Sequence, residues 1–305
     1  MKWAIIFIAI VILLSLLDLY NSEDSEVIGN PFAAYFCPRQ DCMMPLLSSI
    51  ESAKLFVHCA FYEIDSKELV DLLAKKSRSI DVKLVVDEGN ITGAKKAPEK
   101  KTMHNKFCII DGSTAITGSL NPTEKGIVRN NNNLLIIKSK KVAKNYENEF
   151  QELWSGVFDG GEKTSGPGIK ISNISIETYF CPEDYCEDKV VREIRKAKSS
   201  IYFMAFSFTS NAIADEIRFS NARHFGIVEK SQHSKYSSYG KLNAKFDNNK
   251  YLMHHKVFII DNETVITGSF NPTQNGNRHN DENMVIIHDK TLALQYLSEF
   301  EFLNQ

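Results

Sequence analysis

One stretch of this 305-residue chain occurs twice. Residues 103–123 read MHNKFCIIDGSTAITGSLNPT, and residues 253–273 read MHHKVFIIDNETVITGSFNPT. The apolar residues vary between the copies, whereas the polar residues keep their spacing. The repeated polar residues are His104, Lys106, Asp111, Ser119 and Asn121 in the first copy and His254, Lys256, Asp261, Ser269 and Asn271 in the second. A repeat of this kind indicates a chain built from two similar structural units.

Each copy contains a short apolar run that ends at an Asp-Gly or Asp-Asn pair before a second apolar segment. This pattern predicts two strands joined by a tight turn. Alternate residues of a strand share a face, so His104 and Lys106 are expected to point the same way. Ser119 and Asn121 are expected to face the same pocket from the end of the next strand. Donors for a phosphate beside a nucleophile indicate phosphodiester chemistry.

A single His-x-Lys pair on a strand is more often a solvated edge, but its duplication at one spacing argues against that interpretation. The pattern resembles the HxKxxxxD and GSxN signature of the phospholipase D superfamily, and both copies match it. The resemblance implies two similar α/β halves, each a mixed sheet flanked by helices. They are expected to form a pseudo-dimer with one shared active site, functional as a monomer.

The resemblance also implies a role for each signature residue. One histidine attacks phosphorus and forms a phosphohistidine, and the other protonates the leaving oxygen and activates water. The non-bridging oxygens are held by Lys106, Lys256, Asn121 and Asn271, with support from Ser119 and Ser269. Asp111 and Asp261 are expected to be mainly structural, which agrees with their place at the strand-to-turn junction. No metal or cofactor is required, because the lysines supply the positive charge.

The two halves differ chemically just beyond the signature. Residues 130–133 read NNNN, whereas residues 280–283 read NDEN, so Glu282 stands where the first half has Asn132. By resemblance, an acid at this position reaches across the interface to the other half's histidine. Glu282 would then pair with His104 and leave His254 facing Asn132. A carboxylate stabilises the charge on an attacking imidazole, which predicts that His104 is the nucleophile. The alternative is that Asn132 reflects drift in an asparagine-rich turn.

The chain begins with an uncharged run at residues 3–17. It is short for a full membrane span and typical of a signal-peptide core, but no clear cleavage site follows. We therefore interpret residues 1–20 as a signal anchor or a signal peptide. Lys2 before the run and acidic residues after it predict that the catalytic part lies outside the cytoplasm, membrane-anchored or secreted.

The cysteines also form a repeat, because residues 35–42 (YFCPRQDC) recur as residues 179–186 (YFCPEDYC). This pattern favours two short-loop disulfides, Cys37–Cys42 and Cys181–Cys186. Metal binding by the four together is the alternative, although the spacing is not usual for zinc. Cys59 and Cys108 lie in apolar segments and are predicted to be buried thiols.

Strands alternating with helices predict an α/β unit in each half. The halves are expected at residues 28–155 and 173–305, joined by a glycine-rich linker at 156–172. The predicted helices cover 43–53, 66–76, 189–198 and 211–218, and the predicted strands cover 55–61, 82–86, 134–137, 201–206, 226–228 and 284–287. Asp65 and Glu68 form a plausible capping box for the second helix.

The net charge of −2 demands neither nucleic acid nor an anionic membrane, so any phosphate-binding surface must be local. Lysines are frequent in the polar segments 92–102 and 231–251, and the second segment also contains tyrosines. These segments are either solvated surface or a basic rim for a nucleic-acid strand. A nuclease acting on DNA or RNA is the favoured prediction. A membrane-anchored phospholipase D or phosphatidyl transferase comes second, and an inactive phosphate- or nucleic-acid-binding protein comes third.

Overall fold

The computed structural model describes residues 30–305, so the predicted targeting segment at residues 1–20 lies outside the described residues. Within residues 30–305, no helix is both long and apolar enough to cross a membrane.

The first half forms a mixed sheet of seven strands. The strands of this part of the chain are β1 (Phe32–Cys37), β2 (Phe56–Glu63), β3 (Asp81–Glu88), β4 (Lys95–Lys96), β5 (Thr102–Met103), β6 (Lys106–Ile110), β7 (Thr114–Gly118) and β8 (Asn132–Lys138). Their order in the sheet is β1-β8-β7-β6-β2-β3-β4, with β5 outside it. The helices are α1 (Met43–Ser52), α2 (Lys67–Lys76), α3 (Glu124–Val128) and α4 (Lys140–Ser155).

The second half repeats this plan around a larger sheet. Its strands are β9 (Gly168–Ile171), β10 (Ile174–Cys181), β11 (Ser200–Ala205), β12 (Arg223–Val228), β13 (Ala244–Phe246), β14 (Lys256–Ile260), β15 (Thr264–Gly268) and β16 (Asn280–His288). Its helices are α5 (Cys186–Arg195), α6 (Asn211–Phe219), α7 (Gln274–Arg278) and α8 (Lys290–Leu303). The sheet order is β13-β12-β11-β14-β15-β16-β10-β9, and β5 of the first half pairs with β16 in parallel.

The two halves share one apolar core. The closing helices α4 and α8 lie between the sheets, where α4 also contacts β10 and α8 also contacts β1. Tyr146 of α4 packs against Phe180 of the second half, and Tyr296 of α8 packs against Phe36 of the first. Burying one such side chain stabilises a protein by about 1.5–3 kcal/mol. Separating the halves would expose these aromatic side chains and remove that stabilisation. Helices α1 and α2 cover the outer face of the first sheet, and α5 and α6 cover that of the second.

Both signature hairpins are fixed by the aspartate at their turn. The carboxylate of Asp111 accepts hydrogen bonds from the backbone N–H groups of Lys54, Leu55 and Phe56, at 2.7–3.0 Å. Asp261 does the same for residues 198–200. Both aspartates lie at the end of their strand opposite the lysine, away from the histidines. These contacts explain a structural requirement for the aspartate.

Several predicted element boundaries are wrong. The cap of α2 is Ser66, whose side chain accepts from the Leu69 N–H, while Asp65 accepts from the Glu124 N–H at 2.8 Å. The capping box is therefore absent, because a tertiary contact takes the carboxylate. Helix α5 begins at Cys186, three residues before the predicted start. The predicted linker contains β9, whose residues Ile169 and Ile171 are buried against the core.

Three disulfides connect the six cysteines, and no free cysteine remains in residues 30–305. The two short-loop bonds, Cys37–Cys42 and Cys181–Cys186, are those that the sequence favours. The prediction that Cys59 and Cys108 are thiols is wrong, because they form the third bond. They lie directly opposite each other on β2 and β6, with Cα atoms 4.1 Å apart, a register that their 49-residue separation does not reveal.

We expect all six cysteines to resist alkylation in denaturant until a reductant is added, because a disulfide sulfur is not a nucleophile. Mass spectrometry after iodoacetamide treatment would measure this, with pre-reduced protein as the control that takes six labels. Labelling of Cys59 and Cys108 in unreduced, denatured protein would show that they are buried thiols after all.

Candidate active site

Each signature histidine is held by the other half of the molecule. The backbone N–H of His104 donates to the Asp281 carbonyl at 2.9 Å, and the backbone N–H of His254 donates to the Asn131 carbonyl at 2.8 Å. These bonds continue the β5–β16 pairing on one side and a Met253–Asn131 bridge on the other. The two copies of the signature therefore meet at the interface, as expected for a shared site.

The predicted partners of the two histidines are confirmed. Nδ1 of His104 lies 2.8–2.9 Å from the carboxylate oxygens of Glu282, and Nδ1 of His254 lies 2.9 Å from Oδ1 of Asn132. Both partners are acceptors, so each Nδ1 carries the proton and each Nε2 has the free electron pair in the neutral ring. The two imidazoles thus have the same orientation but different partners.

The signature serines orient those partners. Ser269 Oγ donates to Glu282 at 2.6 Å, and Ser119 Oγ donates to Asn132 at 3.0 Å. The glycine before each serine is required by close packing. Gly118 has φ +132°, and a Cβ there would lie 2.2 Å from the Asn133 carbonyl oxygen. Gly268 meets the same limit against Asn283.

The signature lysines are buried beside the histidines. Nζ of Lys106 donates to the His104 carbonyl at 2.7 Å, and Nζ of Lys256 donates to the His254 carbonyl at 2.8 Å. Their ammonium groups lie over two rings that the sequence analysis did not identify, Tyr62 at 5.2 Å and Phe206 at 4.8 Å. The sequence could have identified them, because Tyr62 and Phe206 are 144 residues apart, the same offset that separates the two cysteine repeats.

Asn121 and Asn271 complete the set around the interface. The Oδ1 atom of each is buried and has no hydrogen-bond partner in the part of the chain that the structure describes. Rotation of the amide would present an N–H donor at the same place. Unsatisfied buried amides are uncommon, and a ligand that completes them is one explanation.

The electrostatics of the site favour an added negative charge. Burial, followed by the charges of Lys106 and Lys256, holds the pKa of His104 well below its usual value, and the pKa of His254 is lowered by the same causes. Burial also lowers the pKa of Lys106 to about 7 and raises that of Glu282 to about 7. Two buried amines thus share one carboxyl, and an anionic phosphodiester would restore their positive charge.

Among residues 30–305, two groups of carboxylates and histidines have the spacing of metal ligands. They are Glu177, Glu193 and His288, and Glu149, Glu152 and Glu183. Neither group contains a signature residue, whereas Lys106 and Lys256 lie directly beside the two histidines.

The polar segments before the histidines differ from a simple basic rim. In the first, Lys95 and Lys101 donate to the backbone carbonyls of Trp154 and Phe158, which removes them from the proposed rim. In the second, Lys235 and Tyr236 line a polar cavity of about 780 Å³ that includes Asn271. A further cavity of about 840 Å³ lies beside the segment that precedes His254, and its lining includes Lys125, Arg129, Lys230, Lys250 and Tyr251 together with one acidic residue, Glu229. We call this cavity the basic pocket.

Comparison with known proteins assigns the chain to a family. The profile of the family described as "Cardiolipin synthase, PLD-like domain" matches residues 90–154 and 190–303, more than half of the chain. A phospholipase D of Rickettsia prowazekii is 32% identical over 142 residues, which are 43% of this chain and 68% of that protein. A mitochondrial cardiolipin hydrolase of Xenopus tropicalis is 42% identical over 52 residues, 17% of this chain and 25% of that protein.

The fold has a solved counterpart of the same two-half size. A phosphatidylserine synthase of Haemophilus influenzae Rd KW20 superimposes with a TM-score of 0.68, over 89% of this chain and 85% of that one. At 12% sequence identity this likeness concerns the fold alone. Taken with the family profile and the two intact signatures, it leads to one conclusion. The chain belongs to the phospholipase D superfamily of phosphodiesterases.

Proposed function

We propose that this protein is a metal-independent phosphodiesterase that acts through a phosphohistidine and cleaves nucleic acid. The observation that carries the chemistry is the pair of imidazoles at the interface, each fixed through Nδ1 and each beside a buried lysine. Nε2 of His104 attacks phosphorus while the bond to the leaving oxygen breaks. His254 gives its Nε2 proton to that oxygen.

The second step reverses these roles. Neutral His254 accepts a proton from water, the hydroxyl oxygen bonds to phosphorus, and the bond between phosphorus and Nε2 of His104 breaks. His254 must be protonated for the first step, although its pKa is low in the free protein. The negative charge of a bound phosphodiester raises that pKa, so substrate binding itself supplies the acid form. Lys106 and Lys256 hold the non-bridging oxygens, together with the two asparagines.

The different partners assign the histidines. As the attacking imidazole bonds to phosphorus it gains positive charge, which the Glu282 carboxylate stabilises across the Nδ1–H bond. Asn132 orients His254 but supplies no charge. An acid benefits from this arrangement, because an uncharged partner does not hold back its proton.

The basic pocket supports nucleic acid as the substrate. Its lining includes Leu252, two residues before His254, so the pocket lies next to the segment that carries the second signature histidine. The Arg129 guanidinium lies 5.3 Å from the Tyr251 ring, which is 40% exposed, and this combination suits a phosphate next to a stacked base. The positions 150 residues after Lys125 and Arg129 hold Asn275 and His279, so these two basic residues are not repeated in the second half.

A membrane-anchored phospholipase D or phosphatidyl transferase is the second candidate, favoured by the relative from Rickettsia prowazekii. The apolar cavity lined by Met44, Leu47 and Leu72 lies on the outer helices α1 and α2, which contribute no signature residue. We further propose that residues 3–17 anchor the protein or direct its secretion, with the catalytic part outside the cytoplasm. The three disulfides support an oxidising compartment.

The function is tested by assaying the purified protein in excess EDTA at 25 °C. The substrates are bis(p-nitrophenyl) phosphate, labelled single-stranded DNA and RNA, and phosphatidylcholine vesicles. Reversing two charges of the basic pocket, Arg129→Glu with Lys230→Glu, should lower kcat/KM for the oligonucleotide roughly tenfold or more through lost phosphate contacts. Hydrolysis of the small substrate should stay within about twofold, since the chemical groups are unchanged.

The matched control is Lys170→Glu with Lys290→Glu, which makes the same charge change at exposed positions on the edge strand β9 and at the start of α8. It should leave both activities unchanged. Cleavage of vesicles alone would favour the second candidate. Loss of all hydrolysis in EDTA, with recovery on adding a divalent ion, would contradict the metal-independent mechanism.

We expect Glu282→Gln to slow phosphoenzyme formation by a factor on the order of a hundred, because the orienting charge on His104 is lost. Asn132→Ala should slow it much less, since Asn132 carries no charge. Rapid-quench trapping of the phosphoryl group, followed by peptide mapping, measures both the rate and the site. Label on His254, or a fully active Glu282→Gln variant, would reverse or remove the assignment.

The low pKa of Lys106 predicts an unusual alkaline limit. Lys106 must be protonated to hold phosphate, and Glu282, whose pKa is raised to about 7, must be ionised to support His104. kcat/KM should therefore be highest near pH 7 and fall at higher pH, well below the ordinary lysine range. In the complex the bound anion raises the pKa of Lys106, so kcat should persist to higher pH. Parallel pH profiles of the two constants measure this difference, with melting temperatures as the control for unfolding. A kcat/KM that stays flat to pH 9 would refute it.

A further inference from the structure

The interface between the halves contains an ionic cluster that is fully neutralised. Glu299 of α8 is completely buried, and its carboxylate meets the Arg39 guanidinium at 2.7–2.9 Å. Nε2 of His255 lies 3.4 Å from the same carboxylate. Arg39 belongs to the first half and Glu299 to the second, so this cluster ties the halves together.

The repeat places a second cluster at the equivalent position, but its cations are missing. Glu149 of α4 corresponds to Glu299, 150 residues later. Glu183 stands where the first half has Arg39, in the cysteine repeat, and Asn105 stands where the second half has His255. Glu152 corresponds to Phe302, over whose ring the Arg39 guanidinium lies at 5.1 Å. One end of the interface therefore has an arginine beside a glutamate, and the equivalent end has three glutamates.

The three carboxylates lie close together. Glu149, Glu152 and Glu183 each offer an oxygen within 4.8 Å of the others. Asn105 donates to Glu149 at 3.1 Å, and the backbone N–H of Glu162 donates to Glu152. In residues 30–305, none of the three forms an ion pair with lysine or arginine. Glu149 is buried and Glu152 and Glu183 are half-buried, so holding three negative charges this close together without a cation is unfavourable.

Unpaired oxygens at the cluster provide a second observation. Asp281 is 3% exposed, and its Oδ1 accepts from the N–H groups of Asp159 and Gly160, but its Oδ2 has no partner. One loop connects Asp281 to the cluster, because the N–H of Gly160 donates to Asp281 and the N–H of Glu162 donates to Glu152. Oε2 of Glu183 is also buried without a partner. These are acceptor atoms that only a donor or a cation can satisfy.

A cavity of about 310 Å³ opens beside these groups. Its lining supplies oxygen atoms from Glu149, Glu152, Glu162, Thr164, Asn145, Asn148 and Gln151. Lys163 also lines it, but its ammonium lies 4.9 Å over the exposed Tyr185 ring. Carboxylate and amide oxygens in an irregular arrangement are typical ligands of Ca²⁺, which accepts six to eight oxygens with flexible geometry.

We propose that Glu149, Glu152 and Glu183 bind one calcium ion, which replaces at this end of the interface the Arg39 guanidinium at the other. The ion bridges α4 of the first half and the cysteine loop of the second, as Arg39 bridges the halves in reverse. It also lies near Asp281, whose carbonyl holds the His104 N–H. Calcium therefore stabilises the packing of the halves and does not take part in the chemical step.

The test is isothermal titration of EDTA-stripped full-length protein with CaCl₂, together with melting temperatures. The wild type should bind one ion and melt roughly 5 °C higher when calcium is about a hundredfold above Kd. Glu183→Arg should bind none, and should melt in EDTA at or above the stripped wild type, because the guanidinium pairs with Glu149. The control Glu263→Arg makes the same charge change at an exposed turn and should bind calcium normally.

If Glu183→Arg fails to fold, Glu183→Gln removes one ligand with little change in shape and should weaken calcium binding at least tenfold. Wild-type protein that binds no calcium and melts at the same temperature with and without it would overturn the proposal, since protons then neutralise the cluster. Unchanged binding in the folded Glu183 variants would place the ion elsewhere and would also overturn it. Hydrolysis of bis(p-nitrophenyl) phosphate by Glu183→Arg in EDTA separates this structural ion from any requirement for a metal in catalysis.

Discussion

The structure depends on two backbone hydrogen bonds, through which each half binds the signature histidine of the other half. The backbone N–H of His104 binds the carbonyl of Asp281, and that of His254 binds the carbonyl of Asn131. Around these bonds, α4 and α8 fill the space between the sheets with buried aromatic rings. Because the partners of each imidazole come from the opposite half, the site has its correct geometry only when the two halves are correctly packed. A loosened interface would lose both.

Much of the site could be predicted, because a repeat with a constant offset acts as a symmetry operation. Once residues 104–132 align with residues 254–282, any contact that crosses the interface implies its counterpart. The resemblance to the phospholipase D superfamily implied the contact of Glu282 with His104, and the constant offset then placed Asn132 opposite His254. The strands and helices of each half followed from apolar patterning, with errors mainly at their ends.

The remaining features arise where segments meet without sharing a spacing. Cys59 and Cys108 are bonded because β2 and β6 align them, and neither belongs to a repeated motif. The Asp65 carboxylate accepts a hydrogen bond from the N–H of Glu124 and does not cap its own helix, which local propensity does not predict. Strand β9 lies in a glycine-rich segment, and its two isoleucines are buried because the strand pairs with β10, a contact that the segment's own sequence does not indicate. Each case is a tertiary contact that overrides a local signal.

The departures from symmetry are the positions at which the two halves differ chemically. Identical halves would give two equal histidines and no basis for choosing which attacks. Replacing one acid with Asn132 makes the imidazoles unequal while leaving their geometry alike. Replacing the equivalent of Arg39 with Glu183 makes the two ends of the interface unequal in charge. In a duplicated chain, a changed residue opposite an unchanged one therefore indicates function more sharply than either residue does alone, because the unchanged copy supplies the reference state.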